Sequence, residues 1–368
     1  MKVNRRTFLQ GGLAVVSGVA GLPLIGVGAT SRSPRTLREK VGQLFVVSFK
    51  GTAPDAAFLS LLHSRGFGGI VLYERNYSSP NQLKTLLRRF QRASTFPLLV
   101  CTDQEGGAVV RIRRDVSTFP SEAAYGRAGS TAGVYADAST TARDLHALGL
   151  NLNLAPVVDV LSNPRSPIGD RSYGSNPHLV AGMSSAAIHG YQQHGLAAAA
   201  KHFVGLGHAS IDSHHALPIV TQTLAQLDAV DLVSFRAAIA AGVSTILVAH
   251  VALPGIDPVH NRPASLSPAI IGGVIRRHLA FKGVVITDSL AMGALPQGST
   301  SQAAEQALAA GADMLLISAD HDIPAAVFTD AIDRVVSAVR SGRIPQSRLN
   351  TAVARILALK RTYPSVAL

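Results

Sequence analysis

The sequence predicts an α/β fold, a single-domain (β/α)8 TIM-type barrel. Eight short apolar runs alternate with longer amphipathic stretches over the last ~330 of 368 residues. Most of these runs are almost continuously apolar, as expected for parallel strands buried on both faces. Charged and polar residues then collect at the C-terminal ends of the runs, the rim where barrels place their chemistry.

The runs are Leu44–Phe49, Gly69–Tyr73, Pro97–Asp103, Leu150–Pro156, Ala197–Phe203, Thr245–Val251, Gly283–Asp288 and Met314–Ser318. Helix signals lie between them. Asn81–Ala93 carries apolar residues at helical spacing around Arg and Lys. Thr223–Ala241 opens on Thr223, with Gln226 at capping-box spacing. Gln302–Ala310 runs into the helix stop Gly311. A doubly wound sheet is the alternative, but no G-x-G-x-x-G follows the first strand. The eighth unit falls close to the end of the sequence, so one catalytic barrel over 37–365 is expected and no second large domain.

The N-terminus reads as an address. Asn4-Arg5-Arg6-Thr7-Phe8-Leu9 sets twin arginines before a Gly- and Ala-rich apolar stretch, and no charge follows until Arg32. That pattern predicts a twin-arginine export signal over 1–29, then a short linker over 30–36. Val27-Gly28-Ala29 supplies small residues for cleavage, and no cysteine stands there to carry a lipid, so no stable membrane anchor is expected after signal removal. An extracellular or cell-envelope location follows. The single cysteine, Cys101, lies in an apolar run and excludes an intrachain disulfide.

The net charge is +12. Basic clusters at Arg88, Arg89 and Arg92, at Arg111, Arg113 and Arg114, and at Arg340, Arg343 and Arg348 read as solvated faces with some site residues. They could also draw the protein to an anionic cell wall. Nucleic acid is not an expected partner, because no aromatic residues interleave with the basic ones. There is no Trp and aromatics make up 5%, so a sugar site here would lean on charge and hydrogen bonds.

The rim holds Asp103 and Glu105 after the third run, Asp159 beyond the fourth, Lys201 and His202 on the fifth, His250 on the sixth and Asp288 on the seventh. Buried unpaired charges are expensive, so this concentration points to an active site. Asp288, ending an apolar strand, suits a nucleophile or a metal ligand. Asp212 and His214 are close enough to pair across a tight turn, giving an imidazole that works as acid and base near neutral pH. Gly205 and Gly207 suggest a mobile loop around them, with His208 and His215 as bystanders.

Lys201-His202-Phe203, Gly205 and Gly207, followed by Asp212-Ser213-His214 and Leu217-Pro218, resemble the signature of glycoside hydrolase family 3, in its β-N-acetylglucosaminidase branch. The likeness continues through Gly68–Leu72, Asp103–Gly107, Ala155–Asp159, Gly169–Gly174, Ala249–Val251, Pro263–Ser267 and Phe281–Asp288. It implies a retaining exo-glycosidase on a barrel; no metal or cofactor is expected, and export with a basic surface suits small glycans from peptidoglycan, with chitin fragments as the alternative. Asp288 matches the nucleophile. His214, oriented by Asp212, matches the acid/base, in place of the usual second carboxylate. Asp103, Arg111, Arg171, Lys201 and His202 match positions that hold the terminal N-acetylglucosamine. The chain departs from the pattern at Val204 (usually Pro), Leu206 (usually His), Ala108 (often Arg) and Ser289 (often a second Asp). Rival readings are a phosphorylase using the same site, a family 3 glycosidase of other sugar preference, a metal hydrolase using His202, His250 and Asp288, a Schiff-base enzyme using Lys201, and a non-catalytic wall-binding protein.

Overall fold

In a computed structural model, residues 32–296, 300–319 and 322–366 are described. The expected export signal over 1–29 lies outside them, as does the start of the linker. Ser31–Leu368 forms one compact unit. Its eight parallel strands are β1 Phe45–Val47, β2 Gly69–Leu72, β3 Leu99–Thr102, β4 Leu152–Asn153, β5 Ala197–Phe203, β6 Thr245–Val248, β7 Val284–Thr287 and β8 Leu315–Ile317. They follow the order β8-β1-β2-β3-β4-β5-β6-β7, and a bridge between Ile286 and Met314 brings β7 back to β8. The barrel is the predicted one. Every strand residue is buried, which is why the runs read as continuously apolar.

All eight strands fall within the predicted runs, but most are shorter. Residues are lost at both ends, and those lost at the C-terminal ends leave the ladder to form the rim. At β4 the pairing shifts: Val157 bridges Lys201, and Pro156 O accepts from Lys201 N at 3.2 Å, so the chain keeps following β5 beyond Asn153.

The linker ends where Thr36 caps a helix over Leu37–Gly42, with Glu39 completing a capping box. The Asn81–Ala93 expectation becomes Pro80–Ala93, with Ser79 as N-cap and Pro80 in the first turn. Thr223 caps its helix as predicted, in a box with Gln226. That helix breaks at Val230 into Leu224–Ala229 and Asp231–Ala240. On the second piece, Phe235 meets Phe203 of β5 edge-on, 4.8 Å between ring centroids.

One basic cluster is misplaced by the sequence reading. Arg348 does not sit on a solvated face. It turns inward at the bottom of the barrel and joins Arg276 and Arg355 around Asp313, which is fully buried. Lys360, also at the bottom, donates to Gln43 Oε1 at 2.7 Å and Pro97 O at 2.6 Å. Together these contacts fasten the C-terminal helix Gln346–Thr362 beneath the strands, opposite the rim that carries the site.

Candidate active site

A cavity of about 790 Å³ opens at the C-terminal ends of the strands. Asp103, Arg111, Arg171, Lys201, His202, His214 and Asp288 all line it. Asp212 stands behind His214 and reaches the cavity only through it.

The floor is an ion network. Lys201 Nζ lies 2.7 Å from Asp103 Oδ1 and 2.6 Å from Glu105 Oε1. Arg171 grips both oxygens of Glu105, Nε to Oε2 at 2.8 Å and Nη2 to Oε1 at 2.9 Å. This forked geometry is the strong form of the ion pair. Burial would push the Glu105 carboxyl up, but Lys201 and Arg171 outweigh it and hold it well below the usual carboxylate range. Burial likewise opposes the charge of Lys201, and Asp103 and Glu105 restore it, raising its pKa. An amine held as a cation by two carboxylates is not a free Schiff-base nucleophile.

Glu105 is therefore a site residue that the sequence reading noted on the rim without giving it a role. It sits in a short hairpin, Gln104–Gly106 with Val109–Val110, that turns the chain after β3 back over the cavity. Gly106-Gly107 was the available signal. Asp159 was similarly noted and left idle. Its Oδ2 accepts from both the His202 amide (3.0 Å) and His202 Nδ1 (2.8 Å). Arg171 Nη2 lies 3.2 Å from His202 Nε2. A guanidinium only donates, so the Nε2 lone pair faces it and Nδ1–H faces Asp159.

Tyr73, which the sequence reading names only as the end of the second run, closes one wall. Its hydroxyl donates to Ser318 Oγ at 2.7 Å, and Arg111 lies over its ring, 5.6 Å from the centroid. Arg111 also pairs with Glu74 at 3.0 Å.

Asp288 follows β7 directly. Its Oδ1 accepts from the Ser289 amide at 2.8 Å. Burial pushes its carboxyl up, but His250 and His202 beside it, and that N–H, outweigh burial and hold it below the usual range. The turn behind it is pinned. His250 Nε2 donates to Ser289 O (2.8 Å), Ser318 N to Ser289 Oγ (2.9 Å), and Leu290 N to Leu316 O (2.8 Å). His250 uses its other nitrogen on Ser265 Oγ at 2.6 Å, and burial lowers its pKa. Both ring nitrogens are taken, which removes His250 from the metal-ligand reading.

His214 sits on the loop after β5. Asp212 Oδ1 accepts from its backbone N at 2.9 Å and lies 2.7 Å from Nδ1, leaving Nε2 free to work. Burial would raise the Asp212 carboxyl, but these contacts with His214 hold it below its ordinary value. The His214 side chain is 61% exposed, within reach of a leaving group or water.

The loop is fastened at its root, contrary to the reading of Gly207 as a source of mobility. A Cβ on Gly207 would stand 1.8 Å from Val160 O, so glycine is needed there for close packing. His208, expected to be a bystander to the chemistry, helps fasten that root: Nε2 lies 2.9 Å from Asp231 Oδ2. His215, the other expected bystander, lines the cavity.

The glycosyl hydrolase family 3 N-terminal domain matches residues 36–359. A β-hexosaminidase of Thioalkalivibrio sulfidiphilus is 35% identical over 297 residues, 78% of this chain and 84% of that protein. The structure of a family 3 β-N-acetylglucosaminidase from a Paenibacillus species superposes with a TM-score of 0.86 at 39% identity. It covers 91% of this chain, which spans 65% of that longer one, slightly less than two thirds. A β-N-acetylhexosaminidase from Beutenbergia cavernae superposes at 0.81 with 30% identity, covering 90% of this chain and all of its own. Barrel, rim and relatives agree, and the chain belongs to glycosyl hydrolase family 3.

Proposed function

We propose that this glycoside hydrolase is a retaining exo-β-N-acetylglucosaminidase. The observation that carries the reading is one cavity lined by both an ionised carboxylate, Asp288, and an imidazole paired to its own carboxylate, His214 with Asp212. The relatives' names, β-hexosaminidase and β-N-acetylglucosaminidase, support the sugar.

In the first step, Asp288 attacks the anomeric carbon. The glycosidic C–O bond breaks and the departing oxygen takes a proton from His214 Nε2. In the second, neutral His214 takes a proton from water, the water oxygen attacks the anomeric carbon, and the bond to Asp288 breaks. Asp212 holds the imidazole in the required tautomer and stabilises its cation. Asp103, Arg111, Arg171, Lys201 and His202 bind the terminal ring, mostly by charge-assisted hydrogen bonds.

Turnover of a panel of aryl β-glycosides tests this. The N-acetylglucosaminide should be cleaved faster than the glucoside or xyloside, releasing free sugar at a rate that phosphate does not raise. Sugar phosphate as product would instead establish the phosphorylase. His214→Ala should lower kcat/KM on unactivated glycans by roughly 10²–10⁴-fold while nearly sparing kcat/KM on dinitrophenyl substrates, which leave without a proton. Equal loss on both classes would remove His214 from the acid role.

The proposed location is outside the cytoplasm, with peptidoglycan- or chitin-derived glycans as substrates and the basic surface favouring an anionic wall. The twin arginines Arg5 and Arg6 support export. Replacing both with Lys should leave the protein in the cell fraction. Undiminished appearance in the medium or envelope would show that another signal directs it.

A further inference from the structure

The acid/base loop does not hang free at its tip. Gly293 N donates to His214 O at 3.2 Å, and Ala294 N donates to Ser213 O at 3.1 Å. Both donors belong to the turn that begins at Asp288. Nucleophile and acid/base are thus joined by main-chain hydrogen bonds over a short path.

The fit at that junction leaves no room. A Cβ on Gly293 would stand 2.5 Å from His214 O and 2.9 Å from His215 O. Both obstacles are backbone, so no rotamer change relieves the overlap. Gly293 is not among the glycines with left-handed backbone, so contact alone excludes a side chain there. We infer that Gly293 is the docking point of the acid/base loop, a positioning residue that sets where His214 stands relative to Asp288.

The two sides of the junction are unequal. The Asp288 turn is held by His250, Ser318 and Leu316 through the contacts already described, and Met292 N closes it onto Ser289 O at 3.1 Å. The loop tip is held far less. Ile211 is 47% exposed, and Asp212 O serves only the local turn amides of His215 and Ala216. A methyl group forced in at 293 therefore moves the loop and leaves the nucleophile in place. A misplacement of about 1 Å can cost on the order of 10²-fold in a step that depends on that contact. Proton delivery by His214 is such a step, and attack by Asp288 is not.

This inference rests on the acid/base assignment of His214, and the test separates the two. The full chain is compared with Gly293→Ala and His214→Ala on a dinitrophenyl N-acetylglucosaminide and on an N-acetylglucosamine disaccharide. Gly293→Ala is expected to lower kcat/KM on the disaccharide by roughly 10–100-fold and to keep kcat/KM on the activated substrate, which reports only the attack by Asp288, within about threefold, showing an intact fold and nucleophile. His214→Ala should show the same pattern more strongly. If His214→Ala shows no leaving-group dependence, the acid/base assignment fails. If it does but Gly293→Ala loses both substrates in parallel, does not fold, or matches the parent on both, Gly293 is not a positioning residue and the inference is overturned.

Discussion

Asp288→Asn is expected to lower kcat by about 10⁴-fold or more on every substrate, activated or not, with the fold retained and the melting temperature unchanged or slightly lowered. Asn keeps the shape and the oxygen that accepts from the Ser289 amide. It removes a buried negative charge whose desolvation is outweighed by His250, His202 and the Ser289 N–H, so neutralising it costs a little stability and adds none. Structure is conserved while the electron pair that would bond to the anomeric carbon is lost. The pH profile gives an independent check. The Asp288 carboxyl is held below its ordinary value of 3.8, so it remains ionised down to that pH and the acid limb of kcat/KM should not begin above it on this residue's account. Retention has its own readout. In Asp288→Gly, azide should restore turnover of an activated substrate and give the α-glycosyl azide, formed by one displacement at the emptied face. Full activity in Asp288→Asn, or a β-azide from Asp288→Gly, would remove Asp288 as the nucleophile.

The barrel was legible because its strands are buried on both faces, and that burial writes itself into sequence as apolar runs. Ala197–Phe203 was read with its observed bounds. Strand ends were less legible, since hydropathy does not register the residue at which a chain leaves its ladder. The same applies to Arg348, whose charge reads as surface until Asp313 is seen beside it. In the site, residues on the strands and their loops could be named one at a time. Glu105 and Asp159 were visible as rim carboxylates, but their work depends on partners 96 and 43 residues away, Lys201 and His202. Nothing local in the sequence announces such pairings. Gly293 illustrates the limit from the other side: a glycine in a turn looks generic until the carbonyl of His214 is found against it.

The second large effect is expected from Glu105→Gln, on stability as well as on activity. Glu105 is the carboxylate shared by Lys201 and Arg171, and removing its charge leaves the buried Lys201 with only Asp103, and the partly exposed Arg171 without its ion-pair partner. Breaking a buried pair in this way costs about 3–5 kcal/mol. Glu122 should blunt the loss. It is buried with Oε2 lacking a partner, and burial together with the charge of Glu105 pushes its pKa up to about 8. In the parent, Glu105 keeps its charge because it has the cations, and Glu122 keeps its proton. Once residue 105 is neutral, Glu122 can ionise and supply part of the missing charge. Glu105→Gln combined with Glu122→Gln should therefore be less stable than the two single variants predict by addition. The sign of the pH dependence follows from the same pair. A carboxyl raised on folding from 4.5 to about 8 contributes stability that is fully present below pH 4.5 and is lost as pH rises through 8. Glu105, depressed on folding, contributes stability that is present above the unfolded carboxyl range and lost only in acid. Between pH 5 and 8.5 only Glu122 of the two changes its proton, so denaturant unfolding should show the parent losing more stability over that interval than Glu122→Gln does. An equal loss in both proteins would mean that Glu122 does not hold a proton in the fold, and the expected compensation in Glu105→Gln would go with it.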